Sequence, residues 1–184
     1  MPPETSALDT QRHGAALRWG FRLFLGIQLI PFIVLFTLRY ELDGYYVAPT
    51  VNQWLGVAEN ILMLASLVTV WQGLTAIREN DRETMQRRLK WTSALGALYL
   101  ALLIYDWSQR VVPVGTRFGG MFYTTIGVSA FYTAAGLFVL VATVVRTGRV
   151  VTDAQNHWDV EAAAWYWVFQ GAIAVLMNLY LHWI

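Results

Sequence analysis

Few side chains in this sequence could carry redox or metal chemistry. The chain has no cysteine and three histidines, His13, His157 and His182. Without cysteine, disulfides, thiol catalysis, iron–sulfur ligation and thiolate metal sites are excluded. A six-coordinate haem needs two axial ligands that face each other. His157 and His182 are 25 residues apart in the sequence, which is about 37 Å along a helix that rises about 1.5 Å per residue. The sequence therefore predicts no haem or metal site within this chain.

Ionisable side chains inside apolar stretches are the next candidates. Glu59 is followed by Asn60, while Asp106 and Glu161 stand at the ends of their stretches. Because a charge at the centre of a membrane helix costs about 2.5–3.5 kcal/mol, such residues often mark a proton or ion relay. The alternative is structural, with these side chains anchored to neighbouring helices or lipid headgroups. We favour the structural interpretation, since Asp106 and Glu161 lie at stretch ends.

Two further polar features have a packing explanation. Gln28 precedes Pro31, which should interrupt its helix and free a backbone carbonyl for Gln28 to satisfy. Ser129 belongs to a face of small and hydroxylated residues at helical spacing, a pattern that favours close approach of membrane helices. No glycine-rich phosphate loop, Ser/His/Asp set or zinc motif is present.

The composition tells which kind of protein must position these residues. The chain has 184 residues, of which 57% are hydrophobic and 14% charged, against roughly 25% charged residues in a soluble domain. Its mean hydropathy is +0.43 and its net charge is +1. A soluble chain of this size could not bury so much apolar surface. The numbers indicate an integral membrane protein and argue against a soluble enzyme, a disordered chain or a nucleic-acid partner.

Five apolar stretches follow a polar tail at residues 1–17. Each is near the roughly 20 residues that a helix needs to cross a bilayer, where backbone groups must be satisfied within the segment. We therefore predict an all-α, polytopic membrane bundle with five transmembrane helices over residues 18–184. The predicted spans are Trp19–Leu38, Gln53–Ile77, Leu89–Trp107, Phe122–Val145 and Val160–Ile184.

The basic residues predict the orientation of the bundle. With five spans, ten Lys and Arg residues fall on the side of the N-terminus and three on the other side. Because cytoplasmic loops are enriched in Lys and Arg, the N-terminus is predicted inside and the C-terminus outside.

The last span carries a recognisable motif. His157, Glu161, Tyr166, Trp167 and Phe169 coincide with the pattern H-x-x-x-E-x-A-A-x-Y-W-H-F-x-D. This span resembles the last helix of subunit III of the haem–copper (cytochrome c) oxidases.

The other spans are similar to that family in the same order. Span 4 fits the pattern F-Y-x-x-T-G-x-H-x-x-H-x-x-x-G-L, with Ser129 and Tyr132 in place of both histidines. Asp106 and Asn60 stand in family-like segments of spans 3 and 2, and Gln28 replaces an intramembrane glutamate. The resemblance covers about residues 19–184 and fits the shorter, five-helix bacterial form.

The resemblance implies a non-catalytic accessory subunit of a respiratory oxidase in the bacterial inner (plasma) membrane. Its partners would be the catalytic subunit I, other oxidase subunits and membrane lipids. Haem and copper would belong to those partner subunits, and a structural phospholipid could bind this chain. Roles that depend on the family's glutamate and histidines are in doubt here. The alternatives are a small transporter or channel, or an accessory subunit of another respiratory complex such as a nitric oxide reductase.

Overall fold

The structure is a computed structural model that describes the backbone of residues 4–183 and the side chains of residues 14–183. This part of the chain is helical and contains no strand, which confirms the predicted all-α class. The helices are α1 (Glu4–Gln28), α2 (Ile30–Asp43), α3 (Gln53–Arg78), α4 (Arg82–Gln109), α5 (Arg117–Arg149) and α6 (Trp158–His182).

The first predicted span is interrupted at Leu29, between α1 and α2. Pro31 lacks an N–H group, and in a continuous helix its ring would clash with the carbonyl of Ile27. The Leu29 carbonyl accepts hydrogen bonds from the backbone N–H groups of Phe32 and Ile33, both at 3.1 Å. The interruption predicted from Pro31 is therefore present.

The predicted N-terminal tail differs from expectation in its backbone. Part of residues 1–17, including the side chain of His13, lies outside the described residues, but α1 already begins at Glu4. Residues 4–17 include three Ala and two Leu, which are strong helix formers. Residues 4–17 therefore belong to the first helix, and the cytoplasmic location of the N-terminal segment stays a prediction.

Four helical stretches are long and apolar enough to cross a membrane, namely Gly14–Asp43, Gln53–Arg78, Arg117–Arg149 and Trp158–His182. Helix α4 holds the predicted third span and has 28 residues. It begins with the charged segment RETMQRRLK, and it is not among the stretches that are apolar enough to be recognised as spans by hydropathy. Membrane crossing by α4 thus stays a prediction.

The chain forms two compact units, residues 1–34 and 35–184. In the second unit α3 packs against α4 and α6, and α5 packs against the same two helices. The four helices therefore form a closed ring. Short connections make consecutive helices antiparallel, so the N-terminal ends of α3 and α5 share one end of the ring with the C-terminal ends of α4 and α6.

Three of these helices begin at side-chain caps. Asn52 accepts hydrogen bonds from the backbone N–H groups of Trp54 and Leu55, at 3.1 and 3.3 Å. Asp81 accepts one from Thr84 N–H at 3.0 Å, and Thr116 accepts one from Gly119 N–H at 3.0 Å. Hydrogen bonds from Thr84 also hold the pKa of Asp81 below its usual range. These caps satisfy N–H groups that have no partner within the helix.

Trp167 lies at the centre of the ring and is fully buried. Its indole Nε1–H donates to Ser66 Oγ at 3.0 Å, which ties α6 to α3. Its ring lies so close to Gly96 in α4 and Gly136 in α5 that an added Cβ would lie 2.6 and 3.1 Å away, respectively. Ser129, on the predicted packing face of α5, is also buried, and its packing role stays a prediction.

We expect Gly96→Ala to destabilise the bundle, because the new Cβ would lie 2.6 Å from Trp167 ring atoms that cannot move freely. Overpacking of this kind costs about 1–3 kcal/mol. Gly127→Ala is the matched control, since a Cβ there has no neighbour within 4 Å. Thermal unfolding in mild detergent should show a lower Tm for Gly96→Ala and little change for Gly127→Ala. Equal Tm values for the two variants would contradict this packing.

Candidate functional site

Four polar side chains from three helices meet at one end of the ring, and we call them the polar cluster. They are Glu59 of α3, Asp106 of α4, and Asn178 and His182 of α6, each at most 5% exposed. Glu59 lies near the start of α3, whereas Asp106 and His182 lie near the ends of α4 and α6. The antiparallel packing of α3 against α4 and α6 brings these positions to one level.

Asn178 connects the two helices α3 and α6. Its Nδ2 donates to Glu59 Oε2 at 2.5 Å, and its Oδ1 accepts from Asn60 Nδ2 at 3.0 Å. Glu59 Oε1 is buried without a hydrogen-bond partner. One oxygen of the Glu59 carboxyl group is therefore satisfied by an amide, while the other is open to a further donor.

His182 faces an acceptor on each side of its ring. Nδ1 lies 3.0 Å from the backbone oxygen of Asn178, and Nε2 lies 3.7 Å from Asp106 Oδ2. A carbonyl oxygen can only accept, so Nδ1 must carry a hydrogen. In the neutral imidazole Nε2 then has no hydrogen. His182 Nε2 and an ionised Asp106 Oδ2 are then two acceptors that face each other, unless a further proton binds to one of them.

The close approach of α3 and α6 at this level depends on Gly56. A Cβ at Gly56 would lie 2.8 Å from His182 Cγ and 3.1 Å from Asn178 Oδ1. Position 56 therefore requires glycine, because the imidazole of His182 packs directly against the α3 backbone there. In addition, Gln53 Nε2 donates to the His182 backbone oxygen at 3.4 Å.

A small cavity of about 10 Å³ adjoins the polar cluster. Its polar lining comes from Glu59, Tyr99, Ser129, Asn178 and His182, and the rest is apolar. This is close to the space that one buried water needs, provided that it has two or more polar partners.

The chemistry available here is proton binding. Two carboxyl groups and an imidazole lie together away from solvent, and all three are groups that exchange protons. Among the described residues no three His, Asp or Glu side chains are arranged to bind a metal ion.

The other predicted polar residues are distributed over the ring. Tyr166 is buried, and its hydroxyl donates to the Tyr132 backbone oxygen at 3.5 Å. His157 is the N-cap position of α6 and lies at the opposite end of that helix from His182. Glu161 follows in the first turn of α6 and is half-buried.

Gln28 is the last residue of α1, directly before the interruption at Leu29, and is half-buried. It lies in the first compact unit, whereas the polar cluster belongs to the second. Its predicted packing role stays a prediction.

Sequence reasoning missed the pairing of Asn178 and His182 with Glu59 and Asp106. From the sequence, His182 is a candidate metal ligand only, and Asp106 is either part of a proton or ion relay or an anchor to neighbouring helices or headgroups. The signal that could have found the pair is the predicted topology, which places the ends of spans 3 and 5 and the start of span 2 on one side. The side chain of Asp106 is 2% exposed and faces His182 of α6. This contact agrees with anchoring to another helix, one of the two anchoring modes expected for Asp106, and its functional role stays a prediction.

Comparison with known proteins gives one consistent result. The family model for cytochrome c oxidase subunit III matches residues 6–184. A cytochrome c oxidase subunit 3 from Loxodonta africana is 24% identical over 181 residues, covering 91% of this chain and 69% of the relative. One from Artemia franciscana is 25% identical over 186 residues, covering 96% and 72%. One from the cyanobacterium Synechocystis is 24% identical over 172 residues, covering 89% and 74%.

The family match extends over all six helices, including α4, whose hydropathy alone does not mark it as a span. It agrees with the motifs around Trp167 in α6 and Gly136 in α5, which the structure brings into contact. The chain therefore belongs to the cytochrome c oxidase subunit III family.

Proposed function

We propose that this chain is a non-catalytic accessory membrane subunit of a respiratory cytochrome c oxidase, where it stabilises the catalytic subunit and holds lipid. The observation that carries the proposal is the family match over residues 6–184. The sequence supports the accessory role, because it has no cysteine and its histidines near α6 lie at opposite ends of that helix. Haem and copper chemistry would then be supplied by partner subunits.

The outward face of α5 is the surface that we propose for a partner helix such as one of subunit I. Gly120 and Gly127 have open space around them, and Phe131 is 70% exposed. Small residues let a second membrane helix approach closely, and the aromatic side chain supplies contact area. The inward face of α5 cannot serve this purpose, because it is covered by Trp167 and Tyr166.

A groove at the C-terminal part of α5 is suited to a phospholipid. It has a volume of about 430 Å³ and an apolar floor that includes Phe138, Val141 and Val145. Arg146 and Arg149 stand at its end. An acyl chain on the apolar floor would place an anionic headgroup beside Arg149 and beside Arg146, whose Nε also pairs with Asp159 Oδ2 at 3.1 Å. We therefore propose an anionic phospholipid as the occupant.

We further propose that all five long helical segments cross the bacterial plasma membrane, with the N-terminus inside. Contacts support this orientation. Arg82 donates to the Thr147 and Val150 backbone oxygens, so the basic start of α4 and the basic end of α5 lie at the same end of the bundle. That end would face the cytoplasm, because basic segments are retained there.

Copurification tests the accessory role. A tagged chain isolated in mild detergent from its native membrane should bring with it a haem-containing catalytic subunit in about equal amount, visible as haem absorbance. The same chain expressed alone should show no haem band. A stoichiometric haem on the isolated chain, or recovery of this chain alone as a homo-oligomer, would refute the proposal.

Labelling of single cysteines tests the topology, and the cysteine-free sequence gives a clean background. Glu79→Cys and Gln155→Cys should react with a membrane-impermeant maleimide only after the cytoplasmic face is opened. Thr50→Cys and Gly115→Cys should react in intact cells, and all four positions are exposed. Labelling of Glu79→Cys and Gly115→Cys from the same side would show that α4 does not cross.

Lipid titration followed by native mass spectrometry tests the groove. Arg149→Gln should weaken binding of phosphatidylglycerol about fivefold, since one basic residue contributes about 1 kcal/mol near anionic lipid. Phosphatidylcholine binding should change little. Arg78→Gln removes an exposed arginine at the last turn of α3, outside the groove, and is the matched control. An equal loss in both variants would point to general surface charge and contradict a lipid site at α5.

A further inference from the structure

We propose that Glu59, Asp106 and His182 form a proton-binding site that holds one exchangeable proton and one bound water. The proposal concerns this chain alone and does not depend on its assignment to an oxidase. The side-chain geometry of the polar cluster and the cavity beside it support this site.

The orientation of His182 decides where its ring can bind a further proton. Its Nδ1–H is committed to the backbone oxygen of Asn178 at 3.0 Å, so any further proton on the ring must be on Nε2. Nε2 and Asp106 Oδ2 are both buried, lie 3.7 Å apart and have no other hydrogen-bond partner. A proton at either atom turns a contact between two acceptors into a donor–acceptor contact.

The charge of the polar cluster also bears on proton binding. With both carboxyl groups ionised and the imidazole neutral, the site would carry two negative charges in surroundings that exclude water. Such a state is costly, because buried charges need compensation. Around the site α3 supplies Glu59, α4 supplies Tyr99 and Asp106, and α6 supplies His182. Helix α5 lines the cavity with Ile126 and Ser129, neither of which is charged. Binding one proton is therefore the compensation that these residues themselves offer.

The basic side chain of Arg39 does not replace that proton, because it is linked to the imidazole through two aromatic rings. The Arg39 guanidinium lies 4.8 Å from the Phe118 ring centre and donates to the backbone oxygens of Gly44 and Tyr46. Phe118 stacks on Phe122, whose ring centre is 5.9 Å from that of His182. Two aromatic rings thus lie in the series of contacts from Arg39 to the imidazole.

The cavity beside the polar cluster bears on the bound water. Glu59 Oε1 is fully buried and has no hydrogen-bond partner, and Glu59 lines a cavity of about 10 Å³. The hydroxyl-bearing side chains of Tyr99 and Ser129 line the same cavity. A water there would donate to Glu59 and meet hydroxyl partners, which is the arrangement that buried waters require.

Proton uptake needs no other reactant. A proton from the aqueous phase forms one N–H or O–H bond at His182 Nε2 or a carboxyl oxygen, no other covalent bond breaks, and the charge of the site rises by one. Glu59 is six residues from the first residue of α3, or about 9 Å along the helix. The exchange path to the nearer end of the bundle is therefore short.

Infrared difference spectroscopy of the full chain in detergent, recorded between pH 5 and pH 9, tests the site directly. We expect a buried protonated carboxyl or imidazolium signal that grows as the pH falls and shifts when H2O is replaced by D2O. Glu59→Gln, Asp106→Asn and His182→Gln should each remove or displace this signal. Glu83→Gln, an exposed carboxyl in the first turn of α4, should leave it unchanged.

The wild-type spectra alone can overturn the proposal, even if a variant fails to fold. Absence of any pH-dependent buried carboxyl or imidazolium signal would refute the exchangeable proton. A signal that persists unchanged in all three folded cluster variants would show that the proton is bound elsewhere and would also refute the proposed site. A signal that shifts in the three variants and not in Glu83→Gln supports the site.

Discussion

The contact between Trp167 and its two glycines is the constraint on which the ring of helices depends. Lipid chains are as apolar as the helix surfaces, so membrane helices associate through close packing and hydrogen bonds rather than through hydrophobic burial. Trp167 provides both, since its ring fits against Gly96 and Gly136 and its N–H donates to Ser66. Ser66 in turn donates to the Met63 backbone oxygen at 2.7 Å, so both functions of its hydroxyl are used.

The same packing logic positions the polar cluster. Helices α3 and α6 approach closely at two glycines, Gly171 beside Leu67 and Gly56 beside His182, where an added Cβ would lie 2.5 and 2.8 Å from its neighbour. Between these levels Asn178 reaches Glu59. The polar side chains are therefore held by an apolar contact surface that leaves them little freedom, and their protonation must adjust to a fixed geometry.

The sequence was sufficient for features that depend on one helix at a time. Apolar stretches predicted the helices, Pro31 predicted the interruption near Leu29, and ordered motifs predicted the family. The sequence did not allow us to predict the rotation of each helix about its own axis, because that rotation is set by large buried side chains such as Trp167. Hence the level of Asp106 along α4 was predictable, whereas its orientation toward His182 was not. The helical start at Glu4 was missed because a polar, Pro-containing segment resembles a tail.

The departures from the family motifs acquire a physical meaning in this arrangement. Span 4 has Ser129 where the family pattern has a histidine, and Ser129 lines the cavity beside Glu59. A neutral hydroxyl at that position can hydrogen-bond to a water without adding a charge. The titratable groups lie instead on α3, α4 and α6, where Glu59, Asp106 and His182 face one another. Because the single imidazole can offset the charge of only one carboxylate, the site with both carboxyl groups ionised keeps a net negative charge, which uptake of a proton from outside reduces.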